Sequence, residues 1–271
     1  MKSNPQPLKV QPKLLYRYVI AAVIIGIALL TVPLIADLPA EPFILVMVLG
    51  PLLGGAILTA RRSGPGGVRA LFSGLFHWRI GWRNWALAVV VMPAATMTVA
   101  AATGTLTSPP GGLLTTAVDY LVATFLIGTL ILNLWEETAW EGLVQRQLMG
   151  RFGLAKGALI TAIPFAVIHF PLSFAGGASM REALVGTLLL VVMAPPFRYL
   201  LGRTDYATGG SLLAVGVLHA SFNASGNLDV VSGDWQYIVG VAVVAAGAFL
   251  VDIRRRAAVK RLAAEPQLAH P

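Results

Sequence analysis

Polar and ionisable side chains interrupt three long apolar stretches of this sequence. The first reads Asn133-Leu-Trp-Glu136-Glu137-Thr-Ala-Trp140-Glu141-Gly142, the second Phe165-Ala-Val-Ile-His169, and the third His219-Ala-Ser-Phe-Asn223. On a helix, residues three and four apart share a face. Phe165 therefore projects with His169, His219 with Asn223, and Asn133, Glu136, Glu137 and Trp140 along one stripe. A Glu and a His that share a water can take its proton as it attacks a carbonyl. A second His and an Asn are donors able to hold the oxyanion that results. With no cysteine there is no thiol nucleophile and no cysteine metal site, and neither G-x-S-x-G nor H-E-x-x-H occurs. A zinc ion held by Glu136, His169 and His219 stays compatible with the residue types, although no cofactor or metal is required by the pattern.

These residues need elements that bring them together, and the composition says what the elements are. Of 271 residues, 56% are hydrophobic and 12% charged, and the mean hydropathy is +0.75. A soluble domain carries about 25% charged residues, so this chain lacks the polar surface for water and reads as an integral membrane protein. Disorder and a disulfide scaffold are excluded on the same grounds. Apolar runs near the spanning length of about 20 residues fall at Tyr18–Ala36, Pro42–Ala60, 84–105, 113–148, 156–171, 183–200, 211–226 and 236–252. The expected fold class is all-α, a polytopic transmembrane bundle of about eight helices. Gly50 and Gly54 have the small-xxx-small spacing of closely packed membrane helices. The stretch Arg61–Arg83, with Trp78 and Trp82 among its arginines, reads as an interfacial segment.

Eight spans return both termini to one side. If that side is cytoplasmic, nineteen of the twenty Lys and Arg residues, Arg198 and Arg203 included, fall in cytoplasmic segments, and only Arg181 lies outside. Asp37, Glu41, Asp229 and Asp234 fall outside with it. This is the positive-inside distribution, and it accounts for the net charge of +8 without nucleic acid. The organisation expected is a cytoplasmic segment over 1–17, a transmembrane domain over 18–252 and a basic cytoplasmic tail over 253–271 that includes His270. At 1.5 Å per residue, Glu136 lies about 21 Å from the inner end of its helix, His219 about 12 Å and Asn223 about 18 Å, with His169 somewhat farther out.

Glu136-Glu137 followed by Trp140 and Gly142, then Phe165-x-x-x-His169, then His219-x-x-x-Asn223, in this order on membrane helices, resembles the CPBP family. These are the CAAX-protease and bacteriocin-processing proteins, also called Abi, related to the Rce1-type prenyl-protein endopeptidases. The motifs lie within Asp119–Asn223. The resemblance implies a metal-free intramembrane endopeptidase of the glutamate type in a bacterial-type cell membrane, acting on membrane-associated peptides or proteins. It implies Glu136 as general base, His169 as the residue that orients the water, His219 and Asn223 as the oxyanion site and Glu137 in support. Trp140 and Phe165 are expected to wall a substrate pocket. One position departs: the family motif commonly runs E-E-x-x-x-R, and this chain has Glu141 at the last place. Two other classes stay open at this point, a proton-coupled transporter, since intramembrane Glu and His also build proton relays, and a non-catalytic immunity or binding protein.

Overall fold

The computed structural model describes residues 10–233 and 235–264. Lys2, Lys9, Asp234, His270 and the tail beyond 264 lie outside the described residues, as do the side chains of Lys260 and Arg261. Eight helices follow in order: α1 (Pro12–Ala36), α2 (Glu41–Ser73), α3 (Trp82–Ala102), α4 (Gly112–Phe152), α5 (Leu154–His169), α6 (Met180–Ala207), α7 (Leu212–Ser225) and α8 (Gln236–Ala264). The chain is all-α, with no sheet among the described residues; Leu106 and Val231 form a lone bridge between the α3–α4 and α7–α8 loops. Seven of the eight helices are long and apolar enough to cross a membrane.

The exception, α7, organises the rest. Its fourteen residues rise about 21 Å, short of the ~30 Å hydrocarbon core. Twelve of them are buried, so the helix lies inside the bundle and the long helices supply its contact with lipid. It begins against the segment between α2 and α3: Ser211, its N-cap, is enclosed, accepts from the Ala214 amide and donates to the His77 carbonyl. The surrounding helices turn rows such as Ile20, Ile24 and Leu188, Val192 outward. In a bilayer this is the stable arrangement, with apolar side chains to lipid and polar ones inward.

Small residues let α7 sit this close. A Cβ placed on Gly128 of α4 would lie 2.6 Å from the Ala220 Cβ, and one on Gly216 would lie 3.1 Å from the Leu134 Cα. The expected Gly50 and Gly54 pair divides: a Cβ on Gly54 would lie 3.5 Å from the Tyr18 ring of α1. Nothing lies within 4 Å of a Cβ on Gly50; the close approach on α2 is at Gly55, against Leu143 and the Tyr18 hydroxyl, which donates to the Pro51 carbonyl. Helix α2 also runs past the expected span. It bends at Gly64, whose φ of 62° suits glycine, next to Pro65, and continues to Ser73. Beyond it Leu71 and Leu75 face the core, while Phe76, Trp78 and Trp82 are exposed, with Arg79 over the Trp78 ring and Arg83 over Trp82. These residues make up the segment expected from the sequence to lie at an interface.

Helix α4 is unusually wound. Over Ala123–Asn133 and Thr138–Gln145 its backbone takes the wider π turn, and the Thr129 hydroxyl and Trp135 indole donate to carbonyls five residues back. Only Leu134–Glu137 between them is α-helical. Such wide turns are rare and concentrate at functional positions.

Gly128→Ala is expected to lower stability by about 1–3 kcal/mol through overpacking against Ala220. Gly50→Ala should be neutral or better. Reversible unfolding in mixed micelles checks both.

Candidate active site

Helix α4 delivers two adjacent carboxylates into different surroundings. Glu137, from the last turn of the short α segment, is fully enclosed, and both its oxygens accept from one terminal nitrogen of Arg198 at 2.8–2.9 Å. Its Oε1 also lies 2.8 Å from His219 Nδ1. Glu136 turns the other way. Its Oε1 lies 3.4 Å from His169 Nε2, and its Oε2 accepts from the Asn133 amide at 3.4 Å and lies 3.9 Å from His219 Nδ1. Glu136 Oε1 is buried without a directed hydrogen bond. Buried polar atoms are nearly always satisfied, so such an oxygen beside an imidazole calls for a reason.

Arg198 is the centre of the buried charge. It is 0% exposed. Its Nε donates to Gln145 Oε1, one terminal nitrogen donates to Glu137, and the other donates to Glu141 at 3.1 Å. Gln145 Nε2 returns a bond to the Arg198 carbonyl at 2.8 Å, and the guanidinium lies 5.2 Å from the Phe165 ring centre. This corrects the charge count made on the sequence. Arg198 is no residue of a cytoplasmic loop but a membrane-depth cation on α6, neutralising acids on α4. The rule that flags Glu136, that charge inside a span needs a partner, applies equally to an arginine next to Pro195-Pro196-Phe197. The same network answers the departure at position 141. The acid there faces an arginine supplied by another helix. Asn133 and Gln145 complete the polar shell, and both were visible in the sequence as amides within the fourth span.

The two histidines are fixed from behind. His169 is the last residue of α5, and its Nδ1 lies 2.7 Å from the Phe165 carbonyl, which leaves Nε2 toward Glu136. Its ring stacks on Phe165 with centroids 4.5 Å apart. His219 sits edge-on to Phe197 at 4.8 Å, and its bond to Glu137 leaves Nε2 free of that partner. Asn223, one turn along α7, is exposed and donates to Asn133 Oδ1 at 3.3 Å. The structure thus brings Glu136, Glu137, His169, His219 and Asn223 together. Access runs past His169, whose side chain is 18% exposed, and Asn223. Trp140 and Phe165, expected as walls of a substrate pocket, are enclosed. Each is 3% exposed, and they pack edge to face with centroids 5.9 Å apart. Phe165 lies against both the His169 ring and the Arg198 guanidinium, with Trp140 on its other side.

Among the described residues no three His, Asp or Glu side chains are arranged to hold a metal ion. Glu137 and His219 Nδ1 are spent on each other and on Arg198, and His169 Nδ1 on a backbone carbonyl, so the Glu136, His169, His219 set does not converge as a ligand shell would.

Residues 118–225 match the family described as type II CAAX prenyl endopeptidase Rce1-like. The match contains every residue of the cluster, from Asn133 to Asn223, and excludes α1, α2, α3 and α8. No curated protein matches the chain significantly. The molecule is therefore an integral membrane protein with a protease-associated segment that holds a buried Glu/His cluster.

Arg198→Met is expected to cost about 3–5 kcal/mol of stability, because it strands Glu137 and Glu141 as enclosed carboxylates. Glu141→Gln, which leaves Arg198 paired with Glu137, should cost no more than about 1 kcal/mol. Denaturation of the purified variants in micelles distinguishes the two.

Proposed function

We propose that the protein is an intramembrane endopeptidase that hydrolyses peptide bonds of membrane-associated proteins or peptides. The observation that carries this reading is Glu136 Oε1, a buried oxygen with no directed hydrogen bond, facing His169 Nε2 beside the accessible rim of the cluster. A water in contact with both atoms gives its proton to Glu136 as its oxygen adds to the scissile carbonyl. The negative charge that develops on the carbonyl oxygen is met by donors from α7, the Asn223 amide and the His219 ring. Glu137 accepts from His219 Nδ1, so Nε2 is the nitrogen left to face the substrate, and it donates there in the imidazolium form, in which both ring nitrogens carry a proton. Collapse of the tetrahedral species breaks the C–N bond, and the proton held by Glu136 passes to the leaving amine. No cofactor enters these steps. Arg198 keeps Glu137 in place and leaves Glu136 as the carboxylate free for proton transfer.

The Rce1-like match over 118–225 supports this reaction class. The orientation that goes with it has both termini in the cytoplasm. The remaining basic residues favour it once Arg198 is withdrawn from the count, since α8 still ends in Arg254, Arg255 and Arg256.

In liposomes, the wild-type protein should cleave members of a library of membrane-anchored quenched peptides. Glu136→Gln and His169→Ala should each lower kcat by about 100-fold or more. Asn223→Ala should lower kcat about 100- to 1,000-fold with KM nearly unchanged, as befits a group that acts on the transition state. Undiminished cleavage by Glu136→Gln overturns the mechanism. Proton-driven solute uptake that is lost in the same variant would instead assign the cluster to transport.

A further inference from the structure

At the end of the bundle where α4 finishes, α5 begins and α6 finishes, the three helices and α8 enclose a cavity of 860 Å³. Pockets that take up small molecules measure about 300–1,000 Å³. Its charged lining is four arginines, Arg146, Arg203, Arg255 and Arg256, against two aspartates, Asp205 and Asp252. The aspartates are committed. Asp205 holds Arg146, which also donates to the Gly210 carbonyl, and Asp252 accepts from Arg203 Nε and the Tyr199 hydroxyl. Arg255 and Arg256 make no ion pair among the described residues, and Arg203 bonds Asp252 through Nε, leaving its terminal nitrogens unbonded. The cavity therefore carries excess positive charge on planar guanidinium forks, the geometry that matches phosphate oxygens.

Its surroundings say where the phosphate comes from. On α8, Phe249, Leu250 and Ile253 are exposed directly before the arginines. An apolar outer face that gives way to arginines within one turn is a membrane–water boundary, so acyl chains lie along α8 while a headgroup reaches the cavity. We infer that this cavity is a binding site for the phosphate headgroup of an anionic phospholipid. It lies at the opposite end of α7 from Asn223 and does not depend on the catalytic reading. Basic pockets between transmembrane helices are a recurrent means of holding such headgroups.

The test is lipid binding to the purified full chain by native mass spectrometry, comparing phosphatidylglycerol with phosphatidylcholine. Phosphatidylglycerol is expected to bind at least tenfold more tightly. The double variant Arg255→Gln/Arg256→Gln removes two unpaired side chains and should keep the wild-type unfolding midpoint while losing most of that preference. Arg61→Gln/Arg62→Gln, an equal charge change elsewhere on the surface, should shift it less than twofold. Equal affinity for the two lipids, or equal effects of the two double variants, overturns the site in favour of general surface attraction. Displacement of the lipid by free glycerol phosphate at comparable concentration overturns the lipid assignment and makes a soluble phosphate the ligand.

Discussion

A guanidinium enclosed at membrane depth between two carboxylates holds this structure together. Taking charges from water costs several kcal/mol each, and their attraction offsets this only when the remaining donors and acceptors are met. Arg198 meets that condition on its own side, since all three of its nitrogens donate, to Gln145, Glu137 and Glu141, and Gln145 returns a bond to its carbonyl, while Glu141 Oε1 stays buried without a hydrogen bond. The network fixes α6 to α4. Because Glu137 also accepts from His219, it fixes α7 to both. Three helices are thereby held in the register that sets Glu136 beside His219, and His169 joins them from α5.

The consequence is a division of labour between neighbours in sequence. Glu137 is saturated by its partners and serves as an anchor. Glu136, one residue earlier, is beyond the reach of Arg198 hydrogen bonds and keeps an oxygen without a directed partner. The family motif places an arginine where this chain has Glu141, and here the positive charge comes from α6.

The short α7 makes such a polar interior tolerable in a membrane. It could not span alone, yet long helices with apolar outer faces surround it, so His219 and Ser221 never meet lipid. Helix α6 connects the two ends of the molecule. Arg198 lies in the central cluster and Arg203 in the arginine-lined cavity, five residues or about 7.5 Å farther along the same axis.

What the sequence by itself determined was the membrane, the succession of helices and the short roll of residues able to do chemistry. Hydropathy over about 20 residues is a local property, and an ionisable group within such a run is conspicuous wherever it ends up. That is why Glu136, His169, His219 and Asn223 were legible, along with the Arg- and Trp-bearing segment after α2. Partnership was not legible. Arg198 and Glu137 are 61 residues apart, and an arginine near a helix end reads equally as a loop charge or a buried counter-ion. The enclosure of Trp140 and Phe165 and the open face of Gly50 likewise follow from how closely the helices approach. Only the tertiary structure decided which carboxylate is neutralised and which is left to act, because a guanidinium bonds whatever packing brings to its donors.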